Sequence, residues 1–593
     1  MLLISTLWVV CGITNCSLMF LRALPFTARD IFLVYDGLKV AKAYFSVTDI
    51  ILIATGAAAV LFLLVLSFFK LPKCRKPPKY SRQIITVASL VLILVFITTV
   101  GTGDIALASD YENINAAYDD CGFAFCFTSS IFDSGIGKPD DYSQDKMEAL
   151  KAQLDAIPDS AGKKPNIIYI QLESFFDPST INGLSYSKNP IPVFTQLKQE
   201  FPSGFLCVPA LGAGTVNTEF EILTGMSLDY FGVGEYPYDS TFRSQTCESL
   251  AYNLKSIGYG AYAIHNHSGT FYSRNIVYAN LGFDSFTSLE YMKDIQYNET
   301  GWAKDAVLED CIMDTLNASN KSGFIFAVTA QGHGKYPTDF TDSPISVEET
   351  EQLEIGDPEA LEYYMYQLEE TDRFIGSLIE RLKSYPEDVV LVLYGDHLPA
   401  LGISPEFHTT RSLYNTEYIV WNNFGMKGDD KDLFAYRLSA HVLDMVDIRK
   451  GTIFKYHQSC FASANYFKNL EMLEYDMIFG EKYVYNGVNP FAPTDLHMGL
   501  EVILLTKAAL HGDFSYISGS GFTSFSVVYV NGNRRNTDYI NPSLLYVDCQ
   551  IKEGDTVEVC QAGDDNVPLS STGGYTVTTS DLLPAEIPPE LAW

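Results

Sequence analysis

The sequence predicts an α/β protein with N-terminal transmembrane helices, then an extracellular domain built on a mostly parallel sheet, and last a small β-sandwich. The first supporting observation is a set of three long apolar stretches near the N-terminus. The second is an alternation of strand-like and helix-like patterns that begins at Pro165. The third is a series of short alternating runs, separated by Gly- and Asn-containing turns, between Glu501 and Thr578.

The apolar stretches lie at about 3–21, 50–69 and 84–100, and the second and third contain no charged residue. Their lengths and compositions are typical of membrane-spanning helices, although the first contains Asn15 and two cysteines. A buried core helix is the alternative, but such a helix seldom lacks a polar face. We therefore predict a membrane domain of three transmembrane helices at residues 1–108.

The loop between the second and third apolar stretches indicates how the chain is oriented. Its basic residues, with no acidic residue among them, are Lys70, Lys73, Arg75, Lys76, Lys79 and Arg82. Positive loops face the cytoplasm, so everything after Val100 is predicted to be extracellular and the protein to be a multi-pass protein of the cell membrane. The run Ala106–Ala108 is typical of a signal-peptidase site, so release of the outer part after Ala108 is a further prediction.

The formal net charge of −32 is unevenly distributed. Residues 1–109 contain ten Lys and Arg against four Asp, or +6, so the remaining residues carry −38 (−32 − 6). An acidic outer part argues against nucleic acid as a partner, and it means that an anionic substrate needs local positive charge. The 11 cysteines form no C-x-x-C pattern, and the pairs Cys121 with Cys126 and Cys549 with Cys560 could be disulfides or free thiols alike.

Residues 109–164 are predicted to be a polar connector with helical character around 144–157. Residues 165–495 are predicted to form the main α/β domain, because strand and helix patterns alternate there. Strands are expected at 166–171, 204–209, 259–264, 323–329, 388–394 and 416–421. The clearest long helix is expected at 358–383, where apolar residues recur at near-helical spacing.

The C-terminal residues 496–593 are predicted to form a β-rich, immunoglobulin-like domain with a loose Pro- and Leu-containing end. Its alternating runs include 524–530, 543–547 and 556–559. No chemically distinctive motif lies in this part of the sequence. Contact with the cell wall or with a partner protein is therefore its predicted use.

Two buried strands deliver metal-ligating side chains to one edge of the predicted sheet. The apolar run 389–394 is followed by Gly395, Asp396 and His397, and the run 166–171 is followed by Leu172 and Glu173. Ligands of open α/β sheets bind outside the carboxyl ends of the strands, where these side chains would lie. An isolated Asp–His pair after a strand is more often structural, but two carboxylates and an imidazole together are a ligand set for a divalent metal.

A hydroxyl that could act as a nucleophile belongs to the same edge. The run from Gly212 to Glu221 follows a predicted strand at 205–208 and leads into a helix expected at 219–224. Thr215 lies in this run, near backbone N–H groups and the positive end of the helix dipole. Such a place suits a hydroxyl that attacks a phosphoryl or sulfuryl centre.

Two further strand ends supply imidazole and guanidinium groups. The strand expected at 259–264 is followed by a segment that contains His265, His267, Tyr272 and Arg274. His333 follows the strand expected at 323–329. A lone histidine is more often structural and a lone arginine more often a surface ion pair, yet four of the nine histidines lie at such strand ends. The spacing therefore predicts a binding site for an anionic substrate.

Taken together, these stretches resemble the lipoteichoic acid synthase family, the phosphoglycerol transferase branch of the alkaline phosphatase/sulfatase superfamily. The matching motifs are Ile170–Phe175 around Glu173, Thr215 four residues before Glu219, His265 nine before Arg274, Thr329–His333, and Tyr394–Pro399. Residues 20–31 also resemble the family's first outer loop, and the resemblance covers roughly residues 8–50 and 165–450. It implies a sulfatase-like fold for the extracellular domain.

The resemblance also implies a set of roles. One Mn²⁺ ion, with Mg²⁺ or Zn²⁺ as alternatives, would be bound by Glu173, Thr215, Asp396 and His397. Thr215 would be the nucleophile, and the phosphate and glycerol of the substrate would be held by His333, His265 and Arg274, with Tyr272 and His267 beside the glycerol. The implied reaction takes glycerophosphate from phosphatidylglycerol onto the threonine and passes it to a glycolipid or polyglycerophosphate acceptor at the membrane, as in cell wall biogenesis.

Alternative functions share parts of this pattern. His267 and Tyr272 stand where the family's best-studied type has Asp and Trp, which leaves the substrate open. A phosphoethanolamine transferase or a phosphodiesterase-type hydrolase would use a similar site. A sulfatase needs Cys or Ser followed by Pro and Arg, and Cys207-Val208-Pro209-Ala210-Leu211 lacks the Arg. A non-catalytic membrane anchor that displays the C-terminal domain is the alternative outside catalysis.

Overall fold

The structure is a computed structural model of the 593-residue chain. It describes residues 2–22, 24–31, 34, 37, 47–70, 84–85, 88–89, 118, 121–132, 134–232, 234–349, 357–563 and 567–582. The chain divides into two compact units, the first formed by residues 1–135 and 229–235 and the second by residues 136–228 and 236–593.

The first unit is helical in the part that the structure describes. Its helices are α1 (Leu2–Arg22), α2 (Val47–Lys70) and α3 (Phe123–Phe132). A small cluster of Phe26, Ala28 and Phe127 forms its buried core. Judged on the described residues, no helix combines the length and the apolarity that a membrane crossing requires. The three predicted transmembrane helices therefore stay a prediction, and most of the third lies outside the described residues.

Among the described residues, the second unit contains all the strands and the remaining α-helices. The helices are α4 (Gln144–Asp155), α5 (Pro192–Glu200), α6 (Thr215–Thr224), α7 (Pro237–Ser240), α8 (Leu250–Lys255), α9 (Arg274–Asn280), α10 (Val307–Ala318), α11 (Pro358–Lys383), α12 (Ala435–Met445), α13 (Ile453–Cys460) and α14 (Tyr466–Ile478). The main-sheet strands are β2 (Asn166–Leu172), β4 (Ser203–Cys207), β5 (Gly260–His265), β6 (Ser285–Ser288), β7 (Gly323–Val328), β9 (Val389–Gly395), β10 (Asn415–Asn422), β11 (Leu433–Phe434) and β13 (His497–Met498). Two small ribbons pair β1 (Ser160–Ala161) with β12 (Ile448–Arg449) and β3 (Leu184–Tyr186) with β8 (Val347–Glu349).

The main sheet is mixed, with the strand order β11-β4-β10-β9-β2-β7-β5-β6-β13. Strands β9, β2, β7, β5, β6 and β13 run parallel to one another. Strand β10 runs antiparallel to both β9 and β4, while β11 runs parallel to β4, so the sheet is mixed but mostly parallel, as predicted. The predicted strands and the predicted helix at 358–383 are otherwise all present, with ends that shift by one or two residues.

Helices cover the main sheet, and the alternation of side chains along β2 shows how. Ile168, Ile170 and Leu172 point into a large buried core that also receives apolar residues from α5, α10 and α11. Gln171 points to the opposite face, where its amide donates to the carbonyl oxygen of Thr215 in α6 at 3.0 Å. Every residue of β2 and of β9 is buried, which is why both read as uninterrupted apolar runs.

The C-terminal strands form two antiparallel sheets. The first has the order β14-β15-β19-β18 and contains β14 (Leu504–His511), β15 (Phe514–Ser520), β18 (Thr537–Asn541) and β19 (Leu544–Val547). The second contains β16 (Ser526–Val530), β17 (Asn533–Arg534), β20 (Thr556–Ala562), β21 (Pro568–Ser571) and β22 (Tyr575–Thr576). Residues of both sheets, such as Ile517 and Val559, share one hydrophobic core. Cys549 and Cys560 are free thiols.

Candidate active site

Four side chains meet where the carboxyl ends of β2 and β9 approach the N-terminus of α6. Glu173 follows β2, Asp396 and His397 follow β9, and Thr215 is the first residue of α6. One ligand atom from each of Glu173, Asp396 and His397 lies within 4.8 Å of the other two. The Thr215 hydroxyl donates a hydrogen bond to Glu173 Oε2 at 3.0 Å. The structure therefore brings together all four residues that the sequence assigned to a metal.

Several contacts hold this group in place. Asp396 Oδ1 accepts the backbone N–H groups of Ser174 and His397, each at 2.8 Å. The backbone N–H of Glu173 donates to Thr329 Oγ1 at 2.7 Å, and Ser174 has a left-handed backbone (φ 53°) that a non-glycine residue rarely adopts. A side chain at Gly395 would put its Cβ 1.9 Å from the Phe175 carbonyl oxygen, so only glycine fits before Asp396.

Two ligand atoms at this place are buried and lack a hydrogen bond. Asp396 Oδ2 and His397 Nε2, which are 3.5 Å apart, have no partner among the described residues. His397 Nε2 also lies 3.7 Å from Glu173 Oε1, and all three side chains are at most 5% exposed. Buried polar atoms normally have partners, so these atoms fit a cation that is bound between them. Two carboxylates, a hydroxyl and an imidazole are a donor set that suits Mn²⁺, Mg²⁺ or Zn²⁺.

The electrostatics of the site agree with this interpretation. Burial, and then the neighbouring Glu173 carboxylate, raise the pKa of Asp396 well above its ordinary value. Burial also lowers the pKa of His397, so its imidazole is neutral and can act as a ligand. Two carboxylates this close repel each other unless a positive charge lies between them, and a divalent cation supplies that charge.

Helix α6 begins earlier than the sequence predicted. It was expected to begin at Glu219, but it begins at Thr215, because Gly214 takes a left-handed backbone (φ 96°) that turns the chain directly into the helix. Thr215 consequently lies in the first turn, and the whole helix is buried. The Thr218 hydroxyl donates to the Asp396 carbonyl oxygen at 2.8 Å, which ties α6 to the end of β9.

The predicted substrate-binding residues lie at the end of β5, in the segment from there to the start of α9, and in the loop after β7. The ring centroids of His265 and His267 are 5.8 Å apart, those of His267 and Trp302 5.2 Å, and those of Trp302 and His333 4.3 Å. Burial lowers the pKa of His265 well below its ordinary value, and positive charge on Arg274, His267 and His333 lowers it further. His333 also contributes to the lowered pKa of His397.

Arg274 is held by a partner that the sequence did not reveal. Its Nε and Nη2 donate to the Glu219 carboxylate, the latter at 2.5 Å, and the Tyr278 hydroxyl donates to Glu219 Oε2 at 2.8 Å. Burial alone would lower the pKa of Arg274, but the Glu219 carboxylate raises it above its ordinary value. The guanidinium carbon lies 5.5 Å from the Tyr272 ring centroid. Nη1 does not bond to Glu219; it donates to the Phe271 carbonyl oxygen at 3.5 Å, which leaves its second N–H for another acceptor.

Asp305 is a second residue that sequence patterns did not identify. Its buried carboxylate accepts the backbone N–H groups of Ala330 and Gln331, each at 3.1 Å, and the side-chain amide of Asn266 at 3.0 Å. It therefore joins the loop after β5, which carries His267, to the loop after β7, which carries His333. Asp305 follows no predicted strand, so no pattern in the sequence could have indicated it.

Comparisons with known proteins support the fold of the domain that carries this site. Residues 165–447 match the family model described as Sulfatase. The "Putative cyclic beta-1,2-glucan modification protein" of Rhizobium meliloti (strain 1021) is 30% identical over 318 residues, which cover 51% of this chain and 48% of that protein. The "Capsular polysaccharide biosynthesis protein RkpI" of the same organism is 27% identical over 273 residues, which cover 44% and 46% of the two chains. The chain thus spans about half the length of the curated relatives that it matches.

Among solved structures, the fold is similar to that of "Streptococcus pyogenes phosphoglycerol transferase GacH in complex with sn-glycerol-1-phosphate". The TM-score is 0.54 at 22% sequence identity, and the match covers 61% of this chain and 100% of that chain. This likeness shows a shared fold, and it agrees with the sulfatase-like fold that the sequence resemblance implied.

Proposed function

We propose that this chain, whose residues 165–447 form a sulfatase-family domain, is a metal-dependent transferase of substituted phosphate groups that uses Thr215 as its nucleophile. The observation that carries the proposal is the meeting of the Thr215 hydroxyl with Glu173, Asp396 and His397 at one buried point. Asp396 Oδ2 and His397 Nε2, which have no hydrogen-bond partner among the described residues, lie in the same group as this hydroxyl. A purely structural role would not explain that combination, whereas a catalytic metal site would.

The roles of the residues follow from their positions. Glu173, Thr215, Asp396 and His397 would hold the metal, for which we propose Mn²⁺. When bound, the cation would lower the pKa of the Thr215 hydroxyl and offset negative charge on the phosphoryl oxygens. Thr215 already directs its proton toward Glu173 Oε2, and the first turn of α6 adds backbone N–H groups that favour an anion.

The substrate would be oriented by the loops after β5 and β7. Nη1 of Arg274 would donate to the transferred phosphate, with His333 beside it, while His265, whose Nδ1–H donates to the Val328 carbonyl oxygen at 2.9 Å, would offer Nε2 as an acceptor to a hydroxyl of the substrate. His267 and Tyr272 would lie beside the alcohol group of the substrate. In the proposed reaction the Thr215 oxygen bonds to phosphorus, and the bond to the diacylglycerol oxygen breaks as that oxygen takes up a proton. A hydroxyl of the acceptor then displaces Thr215 and receives the phosphate.

For the donor we propose phosphatidylglycerol, so that glycerophosphate is transferred, and for the acceptor a glycolipid or a lipoteichoic-acid-like glycerophosphate chain. A glycan hydroxyl is a second candidate acceptor, since the names of the two Rhizobium relatives refer to glucan modification and to capsular polysaccharide biosynthesis. The aromatic rings around His267 and Trp302 provide a surface on which a sugar can stack. Phosphatidylethanolamine is the alternative donor.

The sulfatase alternative finds no support in the site. Cys207, the residue that imitates the start of a sulfatase motif, lies at the end of β4 and pairs with Asn415 of β10 and Phe434 of β11. It is not among the residues that approach Glu173, Asp396 and His397. A threonine occupies the nucleophile position instead, which favours transfer of a phosphate ester.

We also propose that the protein acts at the outer surface of the cell membrane, where a lipid donor is available. Large apolar side chains of α2 are exposed, with Leu52 at 65%, Phe62 at 65% and Phe69 at 68%. Exposed apolar side chains along one helix favour contact with lipid or with another apolar surface. Membrane association would keep the active site near its donor.

The test is to incubate the full-length chain, purified in detergent, with Mn²⁺ and phosphatidylglycerol labelled in its head group. Intact-mass and peptide mass spectrometry should show a glycerophosphate adduct on Thr215 when no acceptor is present. Thr215→Ala should form no adduct, whereas Thr224→Ala, at the other end of α6, serves as the matched control and should retain it. Labelled phosphatidylethanolamine is run in parallel. A preference for that lipid would assign the alternative donor, and no adduct with either lipid would refute the proposal.

A further inference from the structure

The C-terminal sheets make a specific buried contact with the segment that follows β6. Thr523 Oγ1 donates to the carbonyl oxygen of Glu290 at 2.7 Å, and the Gln561 side-chain amide donates to the same carbonyl oxygen. The Tyr291 hydroxyl donates to Ser570 Oγ at 2.6 Å. Thr523 and Gln561 are at most 2% exposed. These contacts fix the backbone at Glu290 from the side of the C-terminal region.

The side chain of Glu290 continues this connection toward the active site. Its carboxylate oxygens accept the backbone N–H of Gly269 at 3.2 and 3.1 Å, and Oε2 also accepts the Ser288 hydroxyl at 2.5 Å. Gly269 lies two residues after His267 and five before Arg274. The Glu290 side chain is buried, so its hydrogen bonds are formed without competition from solvent.

Two glycines make room for this arrangement. A Cβ at Gly269 would lie 2.7 Å from Ser288 Oγ, and a Cβ at Gly563, which follows β20, would lie 2.6 Å from Glu290 Oε1. Both distances are below van der Waals contact, so a larger residue at Gly563 would displace the Glu290 carboxylate, and one at Gly269 would displace the Ser288 hydroxyl that donates to it. Gly563 in the C-terminal region thus leaves room for the Glu290 carboxylate, and Gly269 in the α/β domain leaves room for Ser288 beside it.

The loop that Glu290 holds is under backbone strain. Tyr272 and Ser273 both have left-handed backbones, with φ of 52° and 56°, although neither is glycine. Such residues keep this conformation only where their surroundings enforce it. The hydrogen bonds between Glu290 and Gly269 anchor the loop four residues before Ser273, and Arg274 follows directly as the first residue of α9.

We propose that Glu290 is a positioning residue through which the C-terminal β-sheets hold the 267–274 loop in the geometry that binds the phosphate donor. The inference rests on the proposed transferase function, since it assigns the same loop to donor binding. It gives the C-terminal region a part in the active site, which differs from the cell-wall contact expected from the sequence.

The test compares variants of the full-length chain by two measurements. The first is hydrogen–deuterium exchange of the backbone amide of Gly269, which needs no substrate. The second is the concentration dependence of adduct formation on Thr215 with phosphatidylglycerol, which gives KM and kcat separately. The variants are Glu290→Ala, Glu290→Gln and Gln561→Leu. Ser515→Ala is the matched control, because it removes hydrogen bonds of the C-terminal region without touching Glu290: Ser515 Oγ donates to the Cys549 carbonyl oxygen at 2.8 Å and accepts the Ile551 N–H at 3.3 Å.

In Glu290→Ala we expect Gly269 exchange to quicken and KM to rise about tenfold, the effect of losing a hydrogen bond to a charged group. Gln561→Leu should shift both quantities in the same direction, Glu290→Gln should restore most of the loss because it keeps an acceptor, and Ser515→Ala should change neither. Unchanged exchange and KM in Glu290→Ala, or an equal change in Ser515→Ala, would overturn the inference. If the wild type forms no adduct, the proposed function fails while the exchange measurement still decides the role of Glu290.

Discussion

The buried pair of Glu219 and Arg274 allows a prediction whose size can be worked out from its contacts. The side chains of Glu219 and Arg274 are at most 1% exposed, and Arg274 Nη2 lies 2.5 Å from Glu219 Oε1 in their salt bridge. Removing one partner of a buried ion pair leaves an uncompensated charge and costs about 3–5 kcal/mol. We therefore expect Glu219→Gln and Arg274→Met each to lower the free energy of unfolding by about 3 kcal/mol or more.

A double-mutant cycle separates the interaction from other effects of the substitutions. The double variant Glu219→Gln/Arg274→Met removes both charges, so it should be destabilised by less than the sum of the single variants, with a coupling energy of about 1–3 kcal/mol. The assay is urea unfolding of the full-length chain, followed by fluorescence, with each variant compared at the same pH and salt. Additive single-variant effects would show that the two side chains do not interact, and would refute the assignment of Glu219 as the group that orients Arg274.

Three further predictions concern the ligand group, the sheet and a distant carboxylate. A divalent cation at a thousandfold excess over its Kd should stabilise the wild type by about 4 kcal/mol, which is measured as a rise in Tm. Asp396→Asn should abolish this rise, and an equal rise in that variant would contradict the assigned metal site. Gly395→Ala, whose Cβ would meet the Phe175 carbonyl oxygen, should weaken metal binding at least tenfold by displacing Asp396, while Gly137→Ala, where a Cβ meets nothing, should not. Burial raises the pKa of Glu417 to about 8, so the stability it contributes when protonated is complete below its unfolded pKa of about 4.5 and is lost as pH rises through 8. The stability of Glu417→Gln relative to wild type should therefore increase by up to about 5 kcal/mol between pH 4.5 and pH 8, and a constant difference across that range would contradict the assignment.

Much of the main sheet could be predicted because its central strands are buried on both faces. Strands β2 and β9 appear in the sequence as unbroken apolar runs, and the polar residues directly after them reach one edge of the sheet. The direction of β10 could not be predicted, because an apolar run of its length is compatible with either orientation of the chain. Its antiparallel pairing depends on neighbours that lie far away in the sequence.

The residues of the candidate site also divide into those that a local sequence pattern marks and those that depend on contacts far away in the sequence. Glu173, Asp396 and His397 could be identified because each follows a strand with a clear pattern, and Thr215 because it lies in the run that leads into a predicted helix. Glu219, Asp305 and Glu290 act through partners 55, 25 and 21 residues away, at Arg274, Ala330 and Gly269, and nothing near them in the sequence marks those contacts. The start of α6 was misplaced because the left-handed backbone of Gly214, rather than helical periodicity, determines where that helix begins.

Anomalous diffraction from crystals of the full-length protein soaked in MnCl₂ would locate a bound Mn²⁺ ion directly. We expect one strong anomalous peak per chain, within bonding distance of oxygen atoms of Glu173, Thr215 and Asp396 and of Nε2 of His397, and no such peak in Asp396→Asn crystals. A fully occupied peak elsewhere, or none between these four side chains in the wild type, would contradict the assignment of the active site.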